Sequence, residues 1–188
     1  MDRRSFLALG VKAAAGILVA QAVPAWASIP SSRPCSSKGK GGDRNLAFYH
    51  THTRECLEIT YCRKGKYDPK ALHQINRYLR DFRTGEVHPI DPEVLDILWK
   101  VQQDISCDST YEIISGYRSP KTNEKLRHRS GGVAKRSLHM QGKALDIRLT
   151  GKKTRTVRDC AIALEAGGVG YYAKSDFVHV DTGRVRRW

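Results

Sequence analysis

Between Ser137 and Asp146 the chain reads Ser-Leu-His-Met-Gln-Gly-Lys-Ala-Leu-Asp, and no other stretch restricts the fold so much. It runs into a strand predicted over Lys143 to Leu149, along which side chains alternate between two faces. Leu145 and Ile147 claim one face and need a core to cover them. Ala144 and Asp146 share the other, where a small alanine leaves room beside a carboxylate that points into a cleft. Gly142 permits a tight turn between His139 and that strand. A second stretch, Asp176-Phe177-Val178-His179-Val180-Asp181, is built the same way: Val178 and Val180 take the buried face, His179 and Asp181 the opposite one. A fold that satisfies both patterns brings His139, Asp146 and His179 together.

Two imidazoles and a carboxylate are a donor set for catalytic zinc, which takes three protein ligands and keeps a fourth position open. One Zn2+ per chain is therefore expected at His139, Asp146 and His179. Asp181 is placed to orient the His179 imidazole from behind. Asp176 offers a spare carboxylate as a general base. The strand period sets residues 176 and 179 on opposite faces, so that role requires a turn or bulge at Ser175-Asp176. Arg118, in Ser115-Gly116-Tyr117-Arg118-Ser119-Pro120, stands at a strand-to-helix turn where a guanidinium can hold a carboxylate or a developing oxyanion. His50-Thr51-His52 has metal-binding spacing on a strand, but a structural or substrate-facing role is expected for it. His73, His88 and His128 are assigned no metal role.

The remaining pattern is α+β, a single small domain of antiparallel strands with packed helices. Leu46 to His50 and Cys56 to Cys62 read as a hairpin. Asp68-Pro69 opens a helix with Leu72, Ile75, Leu79 and Phe82 as its buried stripe. Asp91-Pro92 opens another, with Val94, Leu95, Leu98, Val101 and Ile105 inward. Tyr111 to Ser115 is a short strand, and Ser119-Pro120 starts a helix to about Arg127. A basic loop follows to Arg136, long enough to shape a cleft rim. A helix over Thr154 to Ala166 and a hairpin of Val169 to Tyr172 with Phe177 to Asp181 complete the chain.

Ahead of this domain, residues 1–27 read as a twin-arginine export signal. Arg3-Arg4 precedes a mildly apolar run, and Ala25-Trp26-Ala27 is a small-x-small cleavage site. The run is too short and wrongly flanked to remain as a membrane span. Residues 28–43, rich in Ser, Gly, Pro and Lys, form a flexible linker, and residues 44–188 form the folded domain. Export implies a periplasmic location, which permits disulfides. The five cysteines, Cys35, Cys56, Cys62, Cys107 and Cys160, fix no pairing from spacing alone. The net charge of +14 favours an anionic partner. A periplasmic address and the lack of a basic tract interleaved with aromatics argue against nucleic acid, and point to the carboxylate-bearing cell wall.

Taken in order, Ser-Gly-Tyr-Arg, then Ser-x-His-x-x-Gly-x-Ala-x-Asp, then Asp-x-x-His resembles the zinc peptidase superfamily of lysostaphin, D-Ala-D-Ala peptidases and the hedgehog domain. Within it the chain is most similar to the D-Ala-D-Ala carboxypeptidase family, closest to the YcbK-like murein endopeptidases, over about residues 45–188. The resemblance implies zinc on His139, Asp146 and His179, Asp176 as base, and Arg118 as the transition-state arginine. It also implies Ser137 and Tyr117 as substrate contacts. The implied substrate is peptidoglycan, cut by a zinc metallopeptidase acting as a murein endopeptidase. A D,D- or L,D-carboxypeptidase on stem peptides, or a non-catalytic cell-wall module that keeps the metal, are the alternatives. Similar proteins read Thr-Gly-Glu where this chain has Thr53-Arg54-Glu55, which puts the turn of the first hairpin in question.

Overall fold

The computed structural model describes residues 42–106 and 109–188. The export signal read over 1–27, the linker as far as residue 41, and Cys35 and Cys107 lie outside the described residues. Among the described residues eight strands form one sheet in the order β3-β2-β1-β4-β5-β7-β6-β8. In chain order they are β1 (Arg44–His50), β2 (Cys56–Arg63), β3 (Lys66–Tyr67), β4 (Tyr111–Ser115), β5 (Ala144–Leu149), β6 (Gly168–Tyr172), β7 (Phe177–Asp181) and β8 (Arg186–Arg187). Neighbours are antiparallel except β1 with β4 and β6 with β8. The expected α+β class is therefore observed.

Among the described residues four α-helices accompany the sheet: α1 (Pro69–Tyr78), α2 (Pro92–Asp104), α3 (Pro120–Arg129) and α4 (Thr154–Ala163). The first three start alike, because proline at the first helical position has no N–H to lose and an oxygen of the preceding side chain accepts from the first turn. Asp68 accepts from Lys70 and Ala71, Asp91 from Glu93, and Ser119 from Thr122. Helices α1, α2 and α4 cover one face of the sheet. There Leu46, Phe48, Ile113, Leu145, Ile147, Val178 and Val180 pack against Ile75, Val94, Leu98, Val101 and Val157, all buried. Among the described residues no helix is long and apolar enough to cross a membrane.

Two helices end earlier than their sequence pattern suggests. The stripe read through Phe82 stops at Tyr78, because the Leu79 carbonyl accepts the Tyr117 N–H at 2.8 Å instead of continuing the helix. Phe82 then lies in a turn, stacked on His52 at 4.2 Å between ring centroids. Helix α4 stops at Ala163 rather than Ala166, since Glu165 takes a left-handed φ of 47° that no helix tolerates. The first hairpin keeps its turn despite the missing glycine: Arg54 itself adopts φ 61°. Cys56 is exposed, Cys62 is buried, and both are free thiols on β2.

A register shift sets up the site. Ile113 of β4 pairs with Ile147, yet Ser115 pairs with Asp146, so two residues of β4 oppose one of β5. Such a bulge re-aims a side chain. Here it carries Ser115 from the core parity of Ile113 to the face of Asp146, and the chain continues into Gly116, Tyr117 and Arg118.

Candidate metal centre

Strands β5 and β7 are neighbours, and Asp146 pairs directly with His179. Paired residues share a face, so both side chains leave the sheet opposite the helices. His139 comes to the same point from a 3-10 turn, Leu138–Gln141. Gly142 ends that turn at φ 66°, and its backbone packs so closely on the Pro89 carbonyl that a side chain has no space. His139, Asp146 and His179 are buried, with 3%, 7% and 8% of their surfaces exposed. Among the described residues they form the group of His, Cys, Asp or Glu side chains able to hold a metal ion.

Hydrogen bonding around the three fixes which atoms face inward. His139 Nδ1 lies 2.8 Å from the Gly116 carbonyl, which only accepts, so Nδ1 carries the proton and Nε2 presents a lone pair. His179 Nε2 lies 2.9 Å from Asp181 Oδ2, so by the same rule its Nδ1 presents a lone pair. Those two nitrogens and Asp146 Oδ1 form a triangle with sides of 3.2, 3.2 and 2.9 Å. Three lone pairs converging in a buried site repel unless a cation lies among them. Zinc bonds of about 2.0–2.1 Å in tetrahedral geometry set ligand atoms about 3.3–3.4 Å apart. The donor set and the triangle both fit that ion.

Charge follows the same logic. Burial raises the Asp146 carboxyl's pKa, but the His139 and His179 imidazoles outweigh it and hold the carboxylate far down. Burial lowers the His179 pKa, but the carboxylates of Asp146 and Asp181 raise it more, to about 9. Without a metal, a proton is thus the cation that the triangle holds.

Arg118 flanks the centre. Its Nη2 is 3.7 Å from Asp146 Oδ2 and 3.4 Å from Ser115 Oγ, and its Nη1 is 3.4 Å from Asn123 Oδ1. Burial lowers its pKa, and Nε is buried without a partner. A guanidinium with long contacts and an unused N–H is positioned but not saturated, as a group awaiting an anionic or carbonyl oxygen should be. Ser137, 9% exposed, precedes the His139 turn. Asp181 is fully buried behind His179.

Other expected site residues have partners outside the triangle. Tyr117 is buried, with its ring stacked on His88 of the loop before α2 at 4.7 Å between ring centroids. Asp176 sits in a turn ahead of β7 with φ 49°, which supplies the turn its role requires. Its carboxylate, 66% exposed, accepts from Thr154 Oγ1 at 2.7 Å and lies 3.7 Å from Arg148 Nε; none of these contacts reaches the histidines. His50 shares the parity of Leu46 and Phe48 and is fully buried, with Nδ1 accepting from the His52 and Thr53 N–H groups. Burial lowers its pKa to about 4, and it serves as a core residue. The pattern of β1 alone carried that signal.

Sequence reading missed Ser115, Asn123, Asp81 and Arg186. The bulge that turns Ser115 leaves no trace in its neighbours. Asp81 and Arg186 act across distances that only the folded chain sets.

Comparison with known proteins adds a family. A family model described as peptidoglycan L,D-endopeptidase MepK matches residues 38–188. The peptidoglycan L,D-endopeptidase MepK of Escherichia coli strain K12 is 38% identical over 190 residues, covering 100% of this chain and 97% of that protein. The counterpart in Shigella flexneri matches to the same extent. A protein of Haemophilus influenzae described as a probable peptidoglycan L,D-endopeptidase MepK is 36% identical over 188 residues, covering 100% of this chain and 95% of its own length.

Proposed function

This chain belongs to the peptidase family described as peptidoglycan L,D-endopeptidase MepK, and from that membership we propose that it is a zinc endopeptidase cutting L,D peptide bonds in peptidoglycan crosslinks. The observation that carries the reading is the triangle of lone pairs from His139, Asp146 and His179. The relatives' descriptions favour an endopeptidase over a carboxypeptidase, and an L,D bond over a D,D bond.

Zinc, when bound, supplies a Lewis acid that polarises a peptide carbonyl and acidifies a water molecule. His139, Asp146 and His179 hold it, with the Gly116 carbonyl and Asp181 fixing the two imidazole tautomers. Arg118 receives the carbonyl oxygen as it gains negative charge, using the N–H groups it leaves under-used. Asp176 takes a proton from the attacking water and returns it to the departing amine as the C–N bond breaks. To do so its exposed carboxylate turns away from Thr154, at a cost of about 1 kcal/mol for one hydrogen bond. Ser137, beside His139, contacts the substrate backbone. The twin-arginine pattern in residues 1–27 supports a periplasmic location, where the chain from Ser28 onward, with a net charge of 14 − 2 = +12 once Arg3, Arg4, Lys12 and Asp2 are removed, would meet the wall's carboxylates.

The test is a digest of purified sacculi by the chain from Ser28 onward, with and without a chelator, read by mass of the muropeptides. Chelator-sensitive loss of crosslinked dimers, cut at an L,D bond, is expected. Shortened stems with intact crosslinks would replace the endopeptidase with a carboxypeptidase. Tight zinc with no product from any sacculus would replace the enzyme with a binding module.

A further inference from the structure

We propose that Arg186 is a positioning residue for His179, acting through Asp181, and that it strengthens zinc binding; the inference rests on the metal site above. Asp181 is fully buried, and the face of the imidazole that His179 shows to the metal depends on where Asp181 Oδ2 lies. Oδ1 accepts from the Gly168 N–H at 3.2 Å, the Gly183 N–H at 2.8 Å and Arg186 Nη1 at 3.0 Å. Oδ2 accepts from Arg186 Nη2 at 2.7 Å and from His179 Nε2 at 2.9 Å. Both backbone donors therefore hold Oδ1. Beside the imidazole itself, Arg186 is the group that holds Oδ2. Its two parallel bonds fix the carboxylate plane, which a single bond leaves free to rotate.

The fork is itself braced. Strand β8 pairs in parallel with β6, bringing Arg186 opposite Gly168, where any Cβ would collide with the guanidinium and with Asp181 Oδ2. The flat face of Arg186 lies on the Trp188 ring at 4.8 Å, which leaves the fork edge for Asp181. Trp188 crosses over Gly170, where a Cβ would stand 2.7 Å from the ring, and its Nε1 donates to the Tyr172 hydroxyl at 3.1 Å. The same indole lies 5.3 Å from the His179 ring. The guanidinium also supplies the full positive charge beside Asp181 that two amides and a neutral imidazole lack.

Zinc affinity of the full chain, measured by competition with a chromophoric chelator, tests this alongside melting of the metal-free protein. Losing such an outer partner weakens metal binding about 10- to 100-fold. Arg186→Met should show that loss, and Arg186→Lys, which keeps the charge without the fork, should recover part of it. On an Asp181→Asn background, Arg186→Met should add nothing. Wild-type affinity in Arg186→Met, or an equal loss on both backgrounds, overturns the proposal. If Arg186→Met does not fold, the same cycle run with Arg186→Lys decides by the same criterion. A wild-type chain that binds no zinc would overturn the metal-site reading instead, a distinct result.

Discussion

Asp81 Oδ2 accepts two hydrogen bonds from Ser119, one from the backbone N–H at 2.9 Å and one from the hydroxyl at 2.7 Å. Asp81 Oδ1 accepts the Arg83 N–H at 3.0 Å, and the residue is 1% exposed. Burial raises its pKa, but hydrogen bonds from Thr122, Ser119 and Arg83 bring it down to about 2. Ser119 directly follows Arg118, so this carboxylate anchors the turn that aims the guanidinium at Asp146.

Asp81→Ala should therefore cost about 3 kcal/mol, because two buried donors of Ser119 and the part-buried Arg83 N–H lose their acceptor, as does Thr122. Ser119→Ala, which removes a cap, should cost about 1 kcal/mol. Urea unfolding measures both. Asp81→Ala should also lower kcat with zinc content unchanged. A wild-type midpoint for Asp81→Ala would show that the anchor bears no strain.

On the proposed reading, zinc and a proton compete for the same triangle. In the metal-free chain the His179 pKa is raised to about 9, so zinc must displace that proton. Apparent zinc affinity should rise about tenfold per pH unit from about pH 6.5 towards 9 and then level, with one proton released per ion. The sign for stability is opposite in the absence of metal. A raised pKa contributes stability that is complete below about pH 6.5 and lost as pH rises through about 9. Melting temperatures of the metal-free chain should fall across that window, while those of the zinc-loaded chain should not follow. Affinity independent of pH over this range would contradict the lone-pair assignment.

Asp176 and Arg118 have separable predictions. Asp176→Ala should lower kcat about a hundred- to ten-thousand-fold while zinc stoichiometry stays at one. Arg118→Ala should lower kcat about a hundred- to a thousand-fold. His139→Ala should lose both metal and turnover. Purified crosslinked muropeptides and metal analysis give these readouts, and near-normal turnover in Asp176→Ala would remove it as the base.

Arg54 stands at φ 61° in the first hairpin turn. A non-glycine residue held there costs about 1 kcal/mol or more. Arg54→Gly should raise the melting temperature by about 2–4 °C, measured by calorimetry, with kcat unchanged. An unchanged or lower melting temperature would mean that the arginine side chain compensates for its backbone.

The convergence of His139, Asp146 and His179 was legible because strand alternation is local: Leu145 and Ile147 demand a core, which leaves Asp146 no choice of face, and Val178 and Val180 do the same for His179. Helix starts were legible because Asp68-Pro69, Asp91-Pro92 and Ser119-Pro120 state cap and first residue side by side. The end of α1 was not, because Phe82 continues the helical period and only the distant Tyr117 N–H, by taking the Leu79 carbonyl, stops it. The stacking of Tyr117 on His88 was illegible for a related reason: the two rings, far apart in sequence, meet only in the folded chain. Arg186 was invisible because nothing near it in sequence reveals that Gly168 will lie opposite.

Gly168 and Gly170 carry no functional group, yet they occupy the space beside Arg186, Asp181 and the Trp188 ring. A map of tolerated substitutions across this chain would consequently rank them with the histidines. Any side chain introduced at either position would have to push aside the Arg186 guanidinium, the Asp181 carboxylate or the Trp188 ring, so the damage would be felt at His179 without any change to a polar group.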